Sequence, residues 1–271
     1  MTLKIATWNV NSIKSRLHIL LPWLKEAAPD IVLLQETKVT DDAFPRLEIE
    51  DLGYNLALRG QKTYNGVAIL SKLPLEDVRA TLPGEDADDH ARYIEAVASA
   101  KDGAVRVASV YVPNGQSPDS DKFRYKLRFL ERLRAHAREL LRLEETLVIG
   151  GDYNVAPYPP DVYDPAGLDG SVCYHPLERE QQRALLHMGL YDAWRALHPQ
   201  DHAFSWWDYR GSGFDAGKGL RIDHLLLSPQ AMDRLESCEM LASLRALERP
   251  SDHAPVMCGM GNGKPSMRES K

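Results

Sequence analysis

Apolar residues recur along this chain in two rhythms. Leu3 to Trp8, Ile31 to Leu34, Val67 to Ser71 and Leu147 to Ile149 are short, nearly unbroken apolar runs, as in strands buried on both faces. Between the first two, Ser12 to Ala28 sets Ile13, Leu17, Leu20, Leu21 and Leu24 at helical spacing, and Pro29-Asp30 ends the pattern. Arg92 to Ser99 alternates instead. Tyr93, Glu95, Val97 and Ser99 fall on one side and Ile94, Ala96 and Ala98 on the other, which predicts a half-buried antiparallel strand. Val105 to Val112 reads as the next strand. Asp119 to Arg142 is a long amphipathic helix with the stripe Phe123, Leu127, Leu130, Leu133, Ala137 and Leu141, its arginines and lysines filling the solvated remainder. Glu178 to Met188 is a second such helix. Phe204 to Tyr209, Ile222 to Ser228 and Ala254 to Cys258 are late strands. Strands in succession without regular helical crossovers argue against a Rossmann fold or a TIM barrel. They predict an α/β protein with two sheets packed face to face and helices outside.

Composition adds exclusions. With 44% hydrophobic and 27% charged residues, the 271-residue chain is neither fibrous nor disordered. The apolar run Ile19 to Leu24 is broken by Pro22 and far short of the ~20 residues a membrane span needs. The first residues read as a strand, without the layout of a signal peptide. Cys173, Cys238 and Cys258 have no metal-type spacing and are read as reduced thiols of a cytoplasmic protein. A net charge of −6 is not that of a strongly basic nucleic-acid binder, although a local basic face can coexist with an acidic metal site. Residues 1–260 are expected to form one catalytic domain, and 261–271, rich in Gly, Ser and Lys, a flexible tail.

The chemistry gathers at strand ends. Asn9 and Asn11 follow the first strand, and Gln35-Glu36-Thr37-Lys38 the second. Gly150-Gly151-Asp152-Tyr153-Asn154 follows the strand after the long helix, and Ser251-Asp252-His253 precedes the last. Asp223 sits inside an apolar strand. One such residue alone is more often a turn or cap residue than a catalyst; four groups at strand termini and a fifth within a strand are hard to explain as caps. Glu36 and Asp252 are hard oxygen donors of the kind Mg²⁺ takes, and Asn9 can add its amide oxygen. Asp223 suits the orienting partner of a histidine. His224 is adjacent but points to the opposite strand face, so His253 is the better candidate. Asp152 and Asn154 share a face if that segment is extended, so a carboxylate that takes a proton from water lies beside an amide that holds it. Together these predict metal-assisted hydrolysis of a phosphate ester.

The ordered set WNVN, QETK, Tyr111-Val-Pro-Asn114-Gly, GGDYN, the stretch from Phe204 to Ser228, and PSDHAPV resembles the exodeoxyribonuclease III and AP endonuclease family. That family is a branch of the endonuclease/exonuclease/phosphatase superfamily, and the resemblance runs from about Leu3 to Cys258. It implies a four-layered α/β sandwich, two packed mixed β-sheets flanked by helices, of DNase I-like type. It implies 3′→5′ exonuclease action on duplex DNA, cleavage 5′ to abasic sites and trimming of blocked 3′ ends, with Mg²⁺ or Mn²⁺. By motif position it implies Glu36 as principal metal ligand with Asn9 and Asp252 close by, and a second metal, if any, near Asp152 and Asn154. Asp152 is then the group acting on water, Asn154 its partner on the phosphate, His253 with Asp223 the stabiliser of the charged phosphorane, and Tyr111 the phenol at the scissile phosphate or leaving oxygen. Asn114 matches a phosphate-contacting amide. Trp206, Trp207 and Leu220 match an apolar pocket for an extruded base-free sugar, with one tryptophan expected in the core if the stretch is a strand. Tyr64 resembles a residue lying against the duplex. Lys38, Arg59 and Lys62 are candidate phosphate contacts, as are Lys122 and Arg124. Asn11 stands where some relatives carry an acid, which leaves a less acidic metal site. Partners implied are double-stranded DNA with abasic sites or 3′ ends, no membrane, a monomer, and a cytoplasmic, nucleoid-associated location. Two rivals share parts of this pattern: a phosphodiesterase of another superfamily branch, and a catalytically dead DNA binder. The second should have lost one of Glu36, Asp152, Asn154 or His253, and all are present.

Overall fold

The apolar runs sort into two mixed sheets. The computed structural model describes residues 2–100 and 103–261. In chain order the elements are β1 (Leu3–Asn9), α1 (Ile13–Glu26), β2 (Ile31–Gln35), α2 (Arg46–Glu50), β3 (Asn55–Arg59), β4 (Val67–Ser71), β5 (Leu75–Arg79), β6 (Tyr93–Ala100) and β7 (Gly103–Tyr111). The second half carries α3 (Asp121–Leu141), β8 (Leu147–Asp152), α4 (Pro176–His187), β9 (Tyr191–Asp192), α5 (Ala193–Leu197), β10 (Trp206–Trp207), β11 (Gly219–Leu220), β12 (Asp223–Leu227), α6 (Pro229–Met232), β13 (Leu235–Met240) and β14 (Val256–Met260). One sheet has the order β13-β14-β1-β2-β4-β3 and the other β5-β6-β7-β8-β12-β9. Within them β1/β2 and β7/β8 are the parallel pairs.

Four layers follow from where the apolar faces go. Ile5, Leu33 and Ile69 of one sheet meet Ile94, Val107, Val148 and Leu225 of the other to form the central core. The outer face of the first sheet, with Ala6, Val32 and Leu34, is covered by Ile13, Leu20, Trp23 and Leu24 of α1. The outer face of the second, with Ala108, Val110 and Ile149, is covered by Phe129, Leu130, Leu133 and Ala137 of α3 and Leu185 of α4. The expected α/β sandwich is therefore present. Among the described residues, no helix is long and apolar enough to cross a membrane. Residues 262–271 of the expected tail lie outside the described ones.

Three local expectations need correction. The predicted strand Phe204 to Tyr209 shrinks to β10, which pairs with β11 and makes a single bridge from Trp206 to His253. β6 is buried on both faces along its first half, because α3 caps the Tyr93/Glu95 side and His136 Nε2 reaches Glu95 at 2.7 Å. On α3 Lys126 is fully buried, as Leu133 and Ala137 of the stripe are, whereas Leu127 is only half-buried.

Topology then delivers the site. The C-terminal ends of β1 and β2 lie together, with Asn9 paired to Gln35. Tyr111 on β7 pairs with Asp152 on β8, which pairs across to Asp223 on β12. β14 is antiparallel to β1, so the segment Ser251–His253 before it arrives at the same sheet edge. Gly150 and Gly151 are required by close approach: a methyl group on Gly150 would lie 2.6 Å from Leu33 Cδ1, and one on Gly151 would strike the Val110 carbonyl. Gly150 lets the second sheet close on the first, and Gly151 lets β8 pair tightly with β7, immediately before Asp152.

Candidate active site

The strand ends meet in one cavity of about 710 Å³, whose lining includes Glu36, Tyr111, Asn114, Asp152, Asn154, Trp206, Leu220, Asp252 and His253. On its acidic side, Asn9 Nδ2 donates to Glu36 Oε1 and to Asp152 Oδ2, both at 2.9 Å. Asn9 Oδ1 accepts from the Asn11 backbone at 3.0 Å. In this orientation the Asn9 amide nitrogen bridges two carboxylates and its oxygen faces the Asn11 backbone. Lys38 Nζ pairs with Glu36 at 2.7 Å and donates to Asn11 Oδ1 at 2.5 Å, so its charge is engaged inside the site. Asn11 Nδ2 and Trp206 Nε1 hold the two oxygens of Asp252 at 2.8 and 3.0 Å.

Asp152 and Asn154 do come together, but not as an extended pair. Asn154 has φ 51°, and its backbone N–H donates to Asp152 Oδ1 at 2.9 Å. Its amide donates to Asp152 Oδ2 at 3.2 Å and to Val112 O at 3.0 Å, and Asn114 Nδ2 donates to Asn154 Oδ1 at 3.0 Å. Asn11 and Glu36 also hold left-handed backbone, at 44° and 51°. Non-glycine residues persist there only when their surroundings impose it, and such strain concentrates at functional sites.

His253 Nδ1 meets Asp223 Oδ2 at 2.8 Å, while Nε2 faces Asp152 at 3.7 Å. His224 points the other way, to Val155 O and Arg221. Ser205 Oγ donates to Asp223 at 2.6 Å, a contact that no feature of the sequence announced. Burial alone would lower the His253 pKa, but the Asp223 and Asp152 carboxylates overcome it and push it up to about 10. Burial, helped by the Asp223 and Glu36 charges, pushes Asp152 up to about 7 against the pull of His253. Burial also opposes ionisation of Glu36, yet the Lys38 ammonium and the Asn9 amide outweigh it and hold that carboxyl low. At Asp252, His253 and the bonds from Asn11 and Trp206 outweigh burial in the same way. Burial beside Glu36 raises the Tyr111 phenol well above its usual value, and the Arg92 guanidinium lies 4.5 Å over its ring.

One consequence is testable without substrate. His253 binds its proton more tightly folded than unfolded, where histidine titrates near 6.5. Its contribution to stability is therefore complete below about pH 6.5 and is lost progressively as pH rises to about 10. In EDTA the melting temperature is expected to fall across that window, and His253→Asn to flatten the slope. An equal slope in the variant would move the dependence to another group.

Among the described residues, donor atoms of Asp152, Asp223 and His253 lie within 4.8 Å of one another. The His253–Asp223 hydrogen bond already occupies part of that set. The oxygens of Glu36 and Asn11 converge on the Lys38 ammonium, so this corner of the cavity is built for positive charge. Glu36 with Asp252 is a chemically fitting place for a hard divalent cation.

The other wall is apolar, formed by Trp206, Leu220, Leu168 and Val172 with Cys173 behind the amides. Trp207 is buried against Phe214 and does not line the cavity. Tyr64 is 68% exposed and also lies off the wall. Arg59 donates to Asp89 O at 3.0 Å. Asp208, Arg210 and Lys218 reach the rim, and sequence reasoning missed them because nothing in their spacing marks a loop that folds back over a cavity.

Two carboxylate-rich sheet edges around a His–Asp pair, on two face-packed mixed sheets, define a phosphoesterase of the DNase I-like class. The chain belongs to the Endonuclease/Exonuclease/phosphatase family, whose profile matches residues 6–253. Its relatives place it in the exodeoxyribonuclease III and AP endonuclease branch. It is 34% identical to exodeoxyribonuclease III of Haemophilus influenzae, covering 94% of this chain and 98% of that one. It is 30% identical to the DNA repair nuclease APEX1 of Danio rerio, covering 94% and 81%. Among solved structures it resembles the 3′ phosphatase NExo from Neisseria, bound to a product DNA hairpin, with TM-score 0.92, 41% identity and 95% and 99% coverage. It also resembles an AP endonuclease from Archaeoglobus fulgidus, with TM-score 0.90, 40% identity and the same coverage.

Proposed function

We propose that this enzyme is a Mg²⁺-dependent DNA repair nuclease that incises duplex DNA 5′ to abasic sites and removes nucleotides from 3′ ends. The observation that carries the reading is Asp152, a carboxylate raised to about 7 at the cavity wall, facing the His253 imidazole 3.7 Å away. A carboxylate poised there takes a proton from water near neutral pH. Asn154 and Asn114 hold the water and a phosphate oxygen. His253, kept protonated by Asp223, donates to the oxygen on which negative charge grows, where a buried donor has the most effect. Tyr111, kept protonated by burial, stands at the leaving side. A Mg²⁺ held by Glu36 and Asp252 would supply Lewis-acid charge to the phosphate. The apolar wall of Trp206 and Leu220 favours a sugar that has lost its base. We read residues 1–260 as one catalytic unit acting as a monomer on cytoplasmic, nucleoid DNA, with Mn²⁺ able to replace Mg²⁺.

The test uses a fluorescent duplex with one abasic-site analogue, an intact duplex with a recessed 3′ end, and a duplex ending in 3′-phosphate. Each is incubated with Mg²⁺ and with EDTA. Metal-dependent incision at the abasic site is expected, and the three rates rank the activities. No cleavage of any duplex with Mg²⁺ or Mn²⁺ would overturn the reading in favour of a small-ester phosphodiesterase.

A further inference from the structure

Helix α3 carries one lysine that does not reach water. Lys126 is fully buried, and its Nζ donates to the carbonyl oxygens of Asn114 at 3.0 Å and Asn154 at 2.7 Å. The same ammonium pairs with the buried Glu178 carboxylate on α4. An ammonium has three donors, and here each has its acceptor. Glu178 in turn accepts from the His175 backbone at 3.1 Å, which closes the N-terminus of α4. One charge thus joins two helices to the loops after β7 and β8.

A buried ion pair is a poor source of stability, since apolar residues of similar volume often do as well or better. What an apolar replacement lacks is a pair of donors for two loop carbonyls. Both carbonyls belong to residues whose side-chain amides line the cavity and bond each other. The backbone around them is unusual: Asn154 has φ 51° and Gly115 has φ 96°. A methyl group on Gly115 would sit 3.2 Å from Lys126 Cδ, so loop and lysine are fitted to one another.

We propose that Lys126 is a positioning residue for phosphodiester cleavage, acting through the carbonyls of Asn114 and Asn154 to aim their amides at Asp152 and the substrate phosphate. The role rests on the reading of those two amides given above.

The test compares Lys126→Met, Glu178→Gln and the double variant Lys126→Met/Glu178→Met with wild type. The single lysine variant leaves Glu178 buried and unpaired and is expected to melt lower. The double variant removes both charges and is expected to recover the melting temperature. Its kcat on the abasic duplex is nevertheless expected to fall roughly 100-fold with KM little changed, the cost of a displacement on the order of 1 Å. Glu178→Gln keeps the amine and both carbonyl contacts, so it is expected to retain most of its turnover. A double variant with recovered melting and wild-type kcat would overturn the role. So would a Glu178→Gln enzyme whose kcat falls 100-fold or more at 25 °C while it remains folded; this second arm decides the matter if the double variant does not fold. Wild-type cleavage is scored first. Its absence overturns the amide reading and this role together, whereas its presence beside an undiminished double variant removes the positioning role alone.

Discussion

Asp152→Asn is expected to lower kcat for abasic-site incision by roughly 10²–10⁴-fold while leaving duplex affinity within a few-fold of wild type. The carboxylate is buried and raised to about 7, and its two oxygens are held by Asn9 and by the Asn154 backbone and amide. An asparagine fits the same volume but cannot take a proton from water. Part of the fixed charge that keeps His253 protonated also disappears, because Asp152 is one of the carboxylates raising it. Single-turnover cleavage beside fluorescence anisotropy separates the two effects. Near-normal turnover would remove Asp152 from the chemistry. An equal loss of affinity would make it a binding residue.

The largest expected stability effect lies behind the cavity. Arg221 is fully buried; its Nε donates to Asp161 and its Nη1 to Asp192, both at 2.7 Å. Its backbone N–H also bonds the Asp161 carbonyl at 2.8 Å, and Val162 bridges to Leu220 of the apolar wall. Removing the guanidinium leaves Asp192 buried with the His224 ring and the Arg195 backbone N–H beside it, and leaves Arg195 as the remaining arginine on Asp161. Breaking such a buried network from one side costs about 3–5 kcal/mol, a large share of the about 5–15 kcal/mol that holds a folded protein. Arg221→Met is therefore expected to lower the urea midpoint strongly with an unchanged slope. A shift equivalent to less than about 1 kcal/mol would show the network to be dispensable.

Much of the site was legible because its residues sit where apolar runs end. Glu36, Asp152, Asp252 and His253 flank strands, and the strand period by itself separated Asp223 from His224 and assigned it to His253. The same reasoning misplaced Lys126. A helical stripe reads every lysine as solvated, and only the docking of α4, which brings Glu178 from 52 positions away, buries that ammonium. It also left the two tryptophans unresolved. β10 is only a two-residue strand, and its pairing with β11 and the bridge from Trp206 to His253 decide which ring meets Asp252.

The sequence by itself determined the central strands, the long helices, the two-sheet class and most of the groups that gather in the cavity, since periodicity and residue type are local properties. Tertiary structure alone decided how those groups act. It turned the Asn9 amide nitrogen toward two carboxylates, drew Lys38 onto Glu36, and bent Asn154 into a left-handed conformation beside Asp152. It also raised Asp152 by burying it, and set the Asp223 and Asp152 carboxylates close enough to His253 to raise its pKa against burial. Those outcomes depend on distances between residues far apart in the chain and on the exclusion of water around them, which no local pattern encodes.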